Sequence, residues 1–512
     1  MKRMRWLVRI FRPRATTGPR RRRRTVLFHA GAAVVVLCPL VLVELVLRFF
    51  VPAPPGDLED PYVSFSGLRP LFVLDATGAR YEIAPERLAA FRPQSFAAVK
   101  QPGTFRVFCL GGSTVQGRPY SVETSFTTWL ALNLRAARPE TTWEVVNCGG
   151  ISYASYRLVP ILRELLTYEP DLFILYTGQN EFLEDREYGR LKRAPTALVR
   201  LHRAMLNVRT YALANQWFAD RGAVKPPATV LPAEVRTKLD YEEALRAYKR
   251  DEVWRQGVIA HFRRNVEAMA RLARQAGVPL ILVNPASNLK DCPPFKPEFQ
   301  ADLSEADMRR IMGLWTKAEE LGWSDVYGKI ALLEQAVRID ERHAGLLYLL
   351  GNCYEHLGRF AEAKNWFVRA KEEDVCPLRI LEPMHEVIVE VAGRKRVPLV
   401  DFKALVENRT ADGIGGREWL LDHVHPTIEG HQLIADALHE AMEKMDVAPS
   451  LDGWRRHRDE LWRRHLSSLN KAYYAQGTAR LQRLRQWSRG HIPRDHRVES
   501  GGTQSTDESP QR

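Results

Sequence analysis

Between Phe105 and Tyr176 the chain alternates short apolar runs with stretches of helical periodicity, and few folds accept that alternation. Phe105 to Leu110, Thr142 to Asn147 and Asp171 to Tyr176 read as strands, with helices over Thr124 to Arg138 and Tyr156 to Thr167 between them. The strands are apolar on successive residues, so both of their faces are buried. Parallel neighbours need a crossover, which a helix supplies. The expectation is a βαβαβ unit in a parallel sheet covered by helices on both faces. Residues 241–276 are again helical in pattern, and Val278 to Val283 is a fourth strand. The sheet resumes only at Val397 to Val400, before Asp401, and 428–445 forms a helix after it.

The gap before that last strand has a pattern of its own. Residues 303–374 are helical, and Leu347, Leu350, Gly351, Tyr354, Gly358, Phe360, Ala363, Phe367 and Ala370 fall at the spacings of a tetratricopeptide repeat, which they resemble. Leu333 and Ala336 sit one 34-residue period before Phe367 and Ala370 and trace a degenerate earlier copy. Fewer than three repeats bury their faces poorly. The insert is therefore expected to lean on the main domain or on a protein partner. Cys292 and Cys376 stand at its two ends, each followed by proline, and a bond between them would tie its base. Cys109 and Cys148, at strand ends, read as buried core thiols.

The N-terminus sets the compartment. Residues 1–24 hold eleven Lys and Arg and no acid, ending in five consecutive arginines, and so account for most of the net charge of +14. The remainder is close to balanced, and nothing tracks a phosphate backbone, which speaks against a nucleic-acid partner. Val26 to Val43 is apolar apart from His29, and with Glu44 to Val51 it is long enough to cross a hydrocarbon core. Residues 25–51 are expected to be an uncleaved signal anchor with the basic end in the cytoplasm. Everything after about residue 52 then lies on the extracytoplasmic side of a single-pass protein of the cytoplasmic (inner) membrane, in the periplasm. Val51 to Asp57 is a proline-rich linker. Residues 180–240, basic and loop-like, suggest a lid over the sheet edge. At the other end, 451–488 is a basic, Trp-rich helical stretch that packs its tryptophans on the domain or rests on anionic lipid or substrate, and the polar tail follows from about Ser488.

Four short stretches bear chemistry, each at or beyond a strand end. Gly111-Gly112-Ser113-Thr114 follows the first strand, Asn147-Cys148-Gly149-Gly150-Ile151-Ser152 the second, Gly178-Gln179-Asn180-Glu181 the third, and Asp422-His423-Val424-His425-Pro426 the last. A hydroxyl nucleophile needs a base, a group that orients the base and donors for an oxyanion. Ser113 supplies the hydroxyl, His425 the base and Asp422 the orienting carboxylate. Asn180, with backbone NH groups near Ser113 and Ser152, supplies oxyanion donors. His423 is the rival for the base.

These residues, in this order, resemble the SGNH hydrolases, also called GDSL-type esterases, over roughly 104–290 and 395–445. Gly111-Gly112-Ser113-Thr114 looks like the first block without the Asp and Leu of the name-giving motif. Gly178-Gln179-Asn180-Glu181 looks like the Gly-x-Asn block, and Asp422-x-x-His425 like the last. In the second block Ser152 takes the position where the family usually has its oxyanion glycine, with Gly149 and Gly150 slightly upstream.

The resemblance implies a flavodoxin-like, three-layer α/β sheet and a serine esterase with catalytic Ser113, Asp422 and His425. It also implies an oxyanion hole from Asn180, Ser152 and Gly149, no metal or cofactor, and an acylated small-molecule or glycan substrate. Its alternatives are an O-acetyltransferase of a cell-envelope polysaccharide or a non-catalytic repeat scaffold on a decayed site. The expected domain map is a basic segment 1–24, an anchor 25–51, a lead-in 52–102, a hydrolase domain in two parts (103–290 and 395–447) around a helical insertion 291–394, basic helices 448–488 and a tail 489–512.

Overall fold

The computed structural model describes residues 42–47, 67–68, 70–184, 210–211, 230–231, 235, 237–240 and 244–489. The expected basic segment, most of the anchor and linker, most of the lid and the tail lie outside them; 42–47 is helical. Among the described residues no helix is long and apolar enough to cross a membrane. The chain divides into two compact units, one of residues 1–64 and 187–229, the other of 65–186 and 230–512. The second unit contains every element discussed below.

Five parallel strands make its sheet: β1 (Thr104–Gly111), β2 (Thr142–Gly149), β3 (Leu172–Tyr176), β4 (Leu280–Asn284) and β5 (Leu399–Asp401), in the order β5-β4-β3-β1-β2. This is the flavodoxin-like order. Cys148, Leu110, Leu175, Leu282 and Leu399 lie in register across it, so the carboxyl ends of all five strands finish at one edge. Every residue of β3 and β4 is buried, as continuous apolar strands require.

Alternate side chains go to opposite faces. Val107, Cys109, Ile174, Tyr176, Ile281 and Val283 meet helices α2 (Phe126–Ala137) and α11 (Ile428–Lys444) in one core. The other layer is α3 (Ser155–Leu165), α4 (Glu252–Gln275) and α9 (Glu382–Lys395), with α3 packing on β1 and α4, and α9 on β4 and α4. Residues of the lead-in form a small antiparallel sheet (72–74, 80–83, 95–97) whose Phe72 and Phe96 pack on Phe108 of β1. Arg106 ties it on: its guanidinium is buried, pairs with Glu144 at 2.6 Å and donates to the Ala97 carbonyl at 2.8 Å.

The helical insert between β4 and β5 contains α5 (Glu305–Glu320), α6 (Val326–Ile339), α7 (Ala344–His356) and α8 (Phe360–Glu372). A Cβ on Gly351 of α7 would stand 2.6 Å from the Phe367 ring of α8, so glycine is what lets this pair close. Leu333, Ala336, Leu347, Leu350, Phe367 and Ala370 share one core. That core also takes in Leu289 and Ile414 from outside the helix pairs, so the insert leans on the α/β domain. The last helix of the expected insertion, α9, belongs to the sheet's own layer.

Cys292 and Cys376 are free thiols, so the bond that would tie the base of the insert is not formed. Cys376 is fully buried beside Asp374, whereas the Cys292 sulfur points to the Pro293 carbonyl. The two ends are joined instead by Arg379, which donates to the carbonyls of Asn288 and Cys292 at 2.9 and 2.7 Å. Cys109 and Cys148 are fully buried, as expected of core thiols. At the C-terminus, α12 (Trp454–Ser468) sets Trp454 on Ala136 and Ala137 and Trp462 on Trp129, so the tryptophans face the domain.

Candidate active site

The nucleophile turn is shaped by two glycines that have no room for a side chain. A Cβ on Gly111 would overlap the Tyr176 carbonyl oxygen of β3, and one on Gly112 would overlap the Asn180 amide nitrogen. The chain thus leaves β1 pressed against the β3 loop and starts α1 (Ser113–Gln116) with Ser113 as its first residue. Gly117, at φ +90°, ends the turn in a conformation natural to glycine. Since β2 and β3 flank β1 on opposite sides, Ser113 sits at the switch point where sheets of this order place their ligands.

Ser113 Oγ lies 2.8 Å from His425 Nε2, and His425 Nδ1 lies 2.7 Å from Asp422 Oδ2. A carboxylate only accepts, so Nδ1 carries the proton and donates it to Asp422, leaving the Nε2 lone pair to accept from the serine hydroxyl. Asp422 is held from behind by the backbone NH groups of Val424 and His425, both at 2.9 Å to Oδ1. Burial works against its charge, but His425, His423 and these hydrogen bonds prevail and keep its pKa below the ordinary carboxylate range. It stays ionised through neutral pH. His423 is also buried, edge-on to His425 and Phe295, and its Nδ1 is 3.7 Å from Asp422, beyond a hydrogen bond. Burial lowers its pKa to about 4, so it is neutral at pH 7 and does not compete for the carboxylate.

The oxyanion donors divide. Asn180 gives one amide hydrogen to the Tyr153 carbonyl at 3.0 Å and keeps a second beside Gly112. The Ser113 NH, at the first position of α1, has no acceptor within the helix. Ser152 has φ +59°, the left-handed region that glycine enters freely and that costs other residues roughly 1 kcal/mol. Its backbone therefore adopts the glycine conformation that the resemblance suggests. Gly149 is a correction: its NH is donated to Asn147 Oδ1 at 3.0 Å, so it has no hydrogen left for an oxyanion. Its role is spacing, because a Cβ there would overlap the Gln116 backbone nitrogen.

Three polar side chains that hold these loops carry no pattern in the sequence. Asn147, at the end of β2, donates to the Val115 carbonyl at 2.6 Å and to Thr127 Oγ1 at 2.9 Å, locking α1 to α2. Gln179 accepts from Thr114 at 2.9 Å and donates to the Ala286 carbonyl at 3.2 Å, joining the loops after β1, β3 and β4. Glu181, fully buried, accepts from the Ser155 NH and hydroxyl at 2.7 and 2.9 Å and so caps α3 through a carboxylate from another loop. Their one signal is a polar residue in or directly after an apolar strand, where burial without a partner is costly.

A family model described as a tetratricopeptide repeat matches residues 330–375. No curated protein matches the chain. Among solved structures, the chain is similar to GDSL-family lipases and esterases. One is a lipolytic protein of the G-D-S-L family from Desulfitobacterium hafniense: 13% identity, 66% of this chain and 98% of that one covered, TM-score 0.29. A second is a lipase/acylhydrolase from Enterococcus faecalis: 13% identity, coverage 67% and 96%, TM-score 0.29. A third is an acetylxylan esterase from Geobacillus stearothermophilus: 11% identity, coverage 66% and 94%, TM-score 0.29.

Proposed function

We propose that this chain is an SGNH-type serine esterase that hydrolyses O-acetyl or other short-chain acyl esters. The observation that carries the reading is the hydrogen-bonded series Ser113 Oγ, His425 Nε2, His425 Nδ1, Asp422 Oδ2. In the first half-reaction Ser113 Oγ attacks the ester carbonyl carbon while its proton passes to His425 Nε2. Asp422 stabilises the imidazolium, and the oxyanion takes hydrogen bonds from the Asn180 amide and the Ser113 and Ser152 NH groups. The alcohol leaves with the proton from His425. Water then gives a proton to His425, its oxygen attacks the acyl-serine, and the carboxylic acid departs as the proton returns to Ser113.

The test is hydrolysis of short-chain aryl esters by the purified protein and its Ser113→Ala variant. Loss of the acyl-enzyme route lowers kcat about 10⁶-fold. Equal inactivity of both proteins on a broad acyl panel would favour a scaffold, and acyl transfer to a glycan outpacing hydrolysis would favour a transferase.

In this reading residues 25–51 anchor the enzyme in the cytoplasmic membrane with its catalytic domain outside, and the repeat offers a face to a protein partner. Protease added to spheroplasts then digests the chain beyond residue 52; complete protection would reverse the topology.

A further inference from the structure

The C-terminal helix α13 (Lys471–Ser488) lies across the two loops that hold the catalytic residues. Near its start, the Tyr473 hydroxyl accepts from the Ser121 NH at 3.2 Å, and Gly477 has no room for a Cβ against the Tyr120 ring. Further along, Arg480 donates to the Tyr120 carbonyl at 2.9 Å, in the loop that follows Ser113. Arg485 donates to the carbonyl of Leu421, the residue before Asp422, at 2.8 Å. The helix is thus fastened on both sides of the Ser113–His425 pair.

It brings arginines to arginines. Arg118, whose NH closes the nucleophile turn onto the Ser113 carbonyl at 3.0 Å, lies within electrostatic reach of Arg92 from the lead-in and of Arg480 and Arg483 from α13. Among the described residues no carboxylate pairs with Arg92, Arg118 or Arg483, and a weak contact with Gln116 at 3.4 Å is the side-chain hydrogen bond of Arg118. Glu429, whose charge reaches Tyr120, does not offset Arg118. Arg106 and Arg157, by contrast, are buried against the carboxylates of Glu144 and Glu184. Burial and the three like charges pull the Arg118 pKa down to about 9. Convergent guanidinium groups match oxyanions such as carboxylate and phosphate in shape as well as charge.

We propose that Arg92, Arg118 and Arg483 form a subsite for an oxyanion on the substrate, so that the preferred ester is an acylated molecule that also carries a carboxylate or phosphate. The inference rests on the esterase reading of Ser113 and deepens it: the last helix of the chain selects the alcohol part of the ester by charge.

The experiment compares three acetate esters, methyl 4-acetoxybenzoate, 4-acetoxybenzoate and 4-acetoxyphenyl phosphate, on the full-length protein, with each rate divided by that ester's hydroxide-catalysed rate. At low salt the normalised kcat/KM of at least one anionic ester exceeds that of the neutral one about tenfold, and the ratio shrinks as sodium chloride is added. Which anion gains more distinguishes carboxylate from phosphate. Arg483 is exposed, so Arg483→Gln keeps the fold and lowers the ratio at least about threefold, and Arg118→Lys lowers it as well. A wild-type ratio of one or less, or a ratio that neither substitution moves, overturns the subsite. If no ester is hydrolysed, the esterase reading has failed on its own, and calorimetric binding of 4-acetoxybenzoate and of 4-acetoxyphenyl phosphate to the Ser113→Ala protein decides the subsite. Binding weakened by Arg483→Gln supports it, and no binding overturns it.

Discussion

At the carboxyl ends of the sheet strands, side chains meet a few named atoms at hydrogen-bond distance, whereas in α5–α8 they meet many neighbours through apolar surface. Asn147, Gln179, Glu181 and Asp422 all show the first kind of contact; Leu333, Leu350, Gly351 and Phe367 show the second. The difference lies in what each arrangement tolerates. A hydrogen bond to a named atom holds a loop to a fraction of an ångström, as proton transfer requires, but gives little net stability. Apolar packing stabilises strongly and accepts other residues of similar volume. Activity and stability should therefore reside in different parts of this chain.

The largest expected effect is at the site. Ser113→Ala should remove about 10⁶-fold of kcat while the melting temperature, read by calorimetry, moves by less than about 2 °C, because the serine is half-buried and leaves little cavity. A fall of many degrees would show that the catalytic hydrogen bonds also hold the fold. The converse is Phe367→Ala, which empties a fully buried ring position between α7 and α8 and should cost about 3–5 kcal/mol by urea denaturation. Its kcat/KM at 25 °C should stay within about twofold of the original; a larger loss would mean that the repeat and the site are coupled.

Acid gives the most graded test. Burial lowers the pKa of His423 to about 4, of His431 to about 3 and of His439 to about 4, all near the last catalytic loop or on α11. The unfolded chain protonates these rings near pH 6.5, whereas the folded one holds them neutral to lower pH. Stability is thus complete above about pH 6.5 and falls as the pH drops toward 4, by roughly 2–3 kcal/mol per ring. Helices α5–α8 bury one histidine, His343, which is shifted the same way. Hydrogen exchange, corrected for intrinsic rates, should show α11 losing protection at pH 5 before α7 and α8 do; simultaneous loss would erase the distinction.

The same contrast explains what could be read from the residues alone. The strands and the repeat were legible because apolar burial repeats with a period, and Gly351 stands out within that period because it faces a large ring. Ser113, Asn180 and the Asp422–His425 pair were legible through their order along the chain, each one after a strand. Asn147, Gln179 and Glu181 were not, since a hydrogen bond between distant loops imposes no spacing on either partner. Gly149 misled for a related reason. Glycine marks a place without room for a side chain, and only the fold shows that its NH has gone to Asn147. The arginine subsite was obscured by a composition that suggested a basic C-terminal stretch but not where it lies.

The separation of Ser113 from His425, 312 residues, acquires a meaning when the chain is considered as it is made. At ribosomal speeds of about 5–20 residues per second, the serine is synthesised roughly 16–60 s before its base. During that interval β1 to β4 and the repeat helices can form, but nothing can deprotonate the hydroxyl, and α13 follows later still. On the esterase reading proposed above, nascent or prematurely terminated chains are therefore chemically silent, and acyl-enzyme formation would report that synthesis has passed His425.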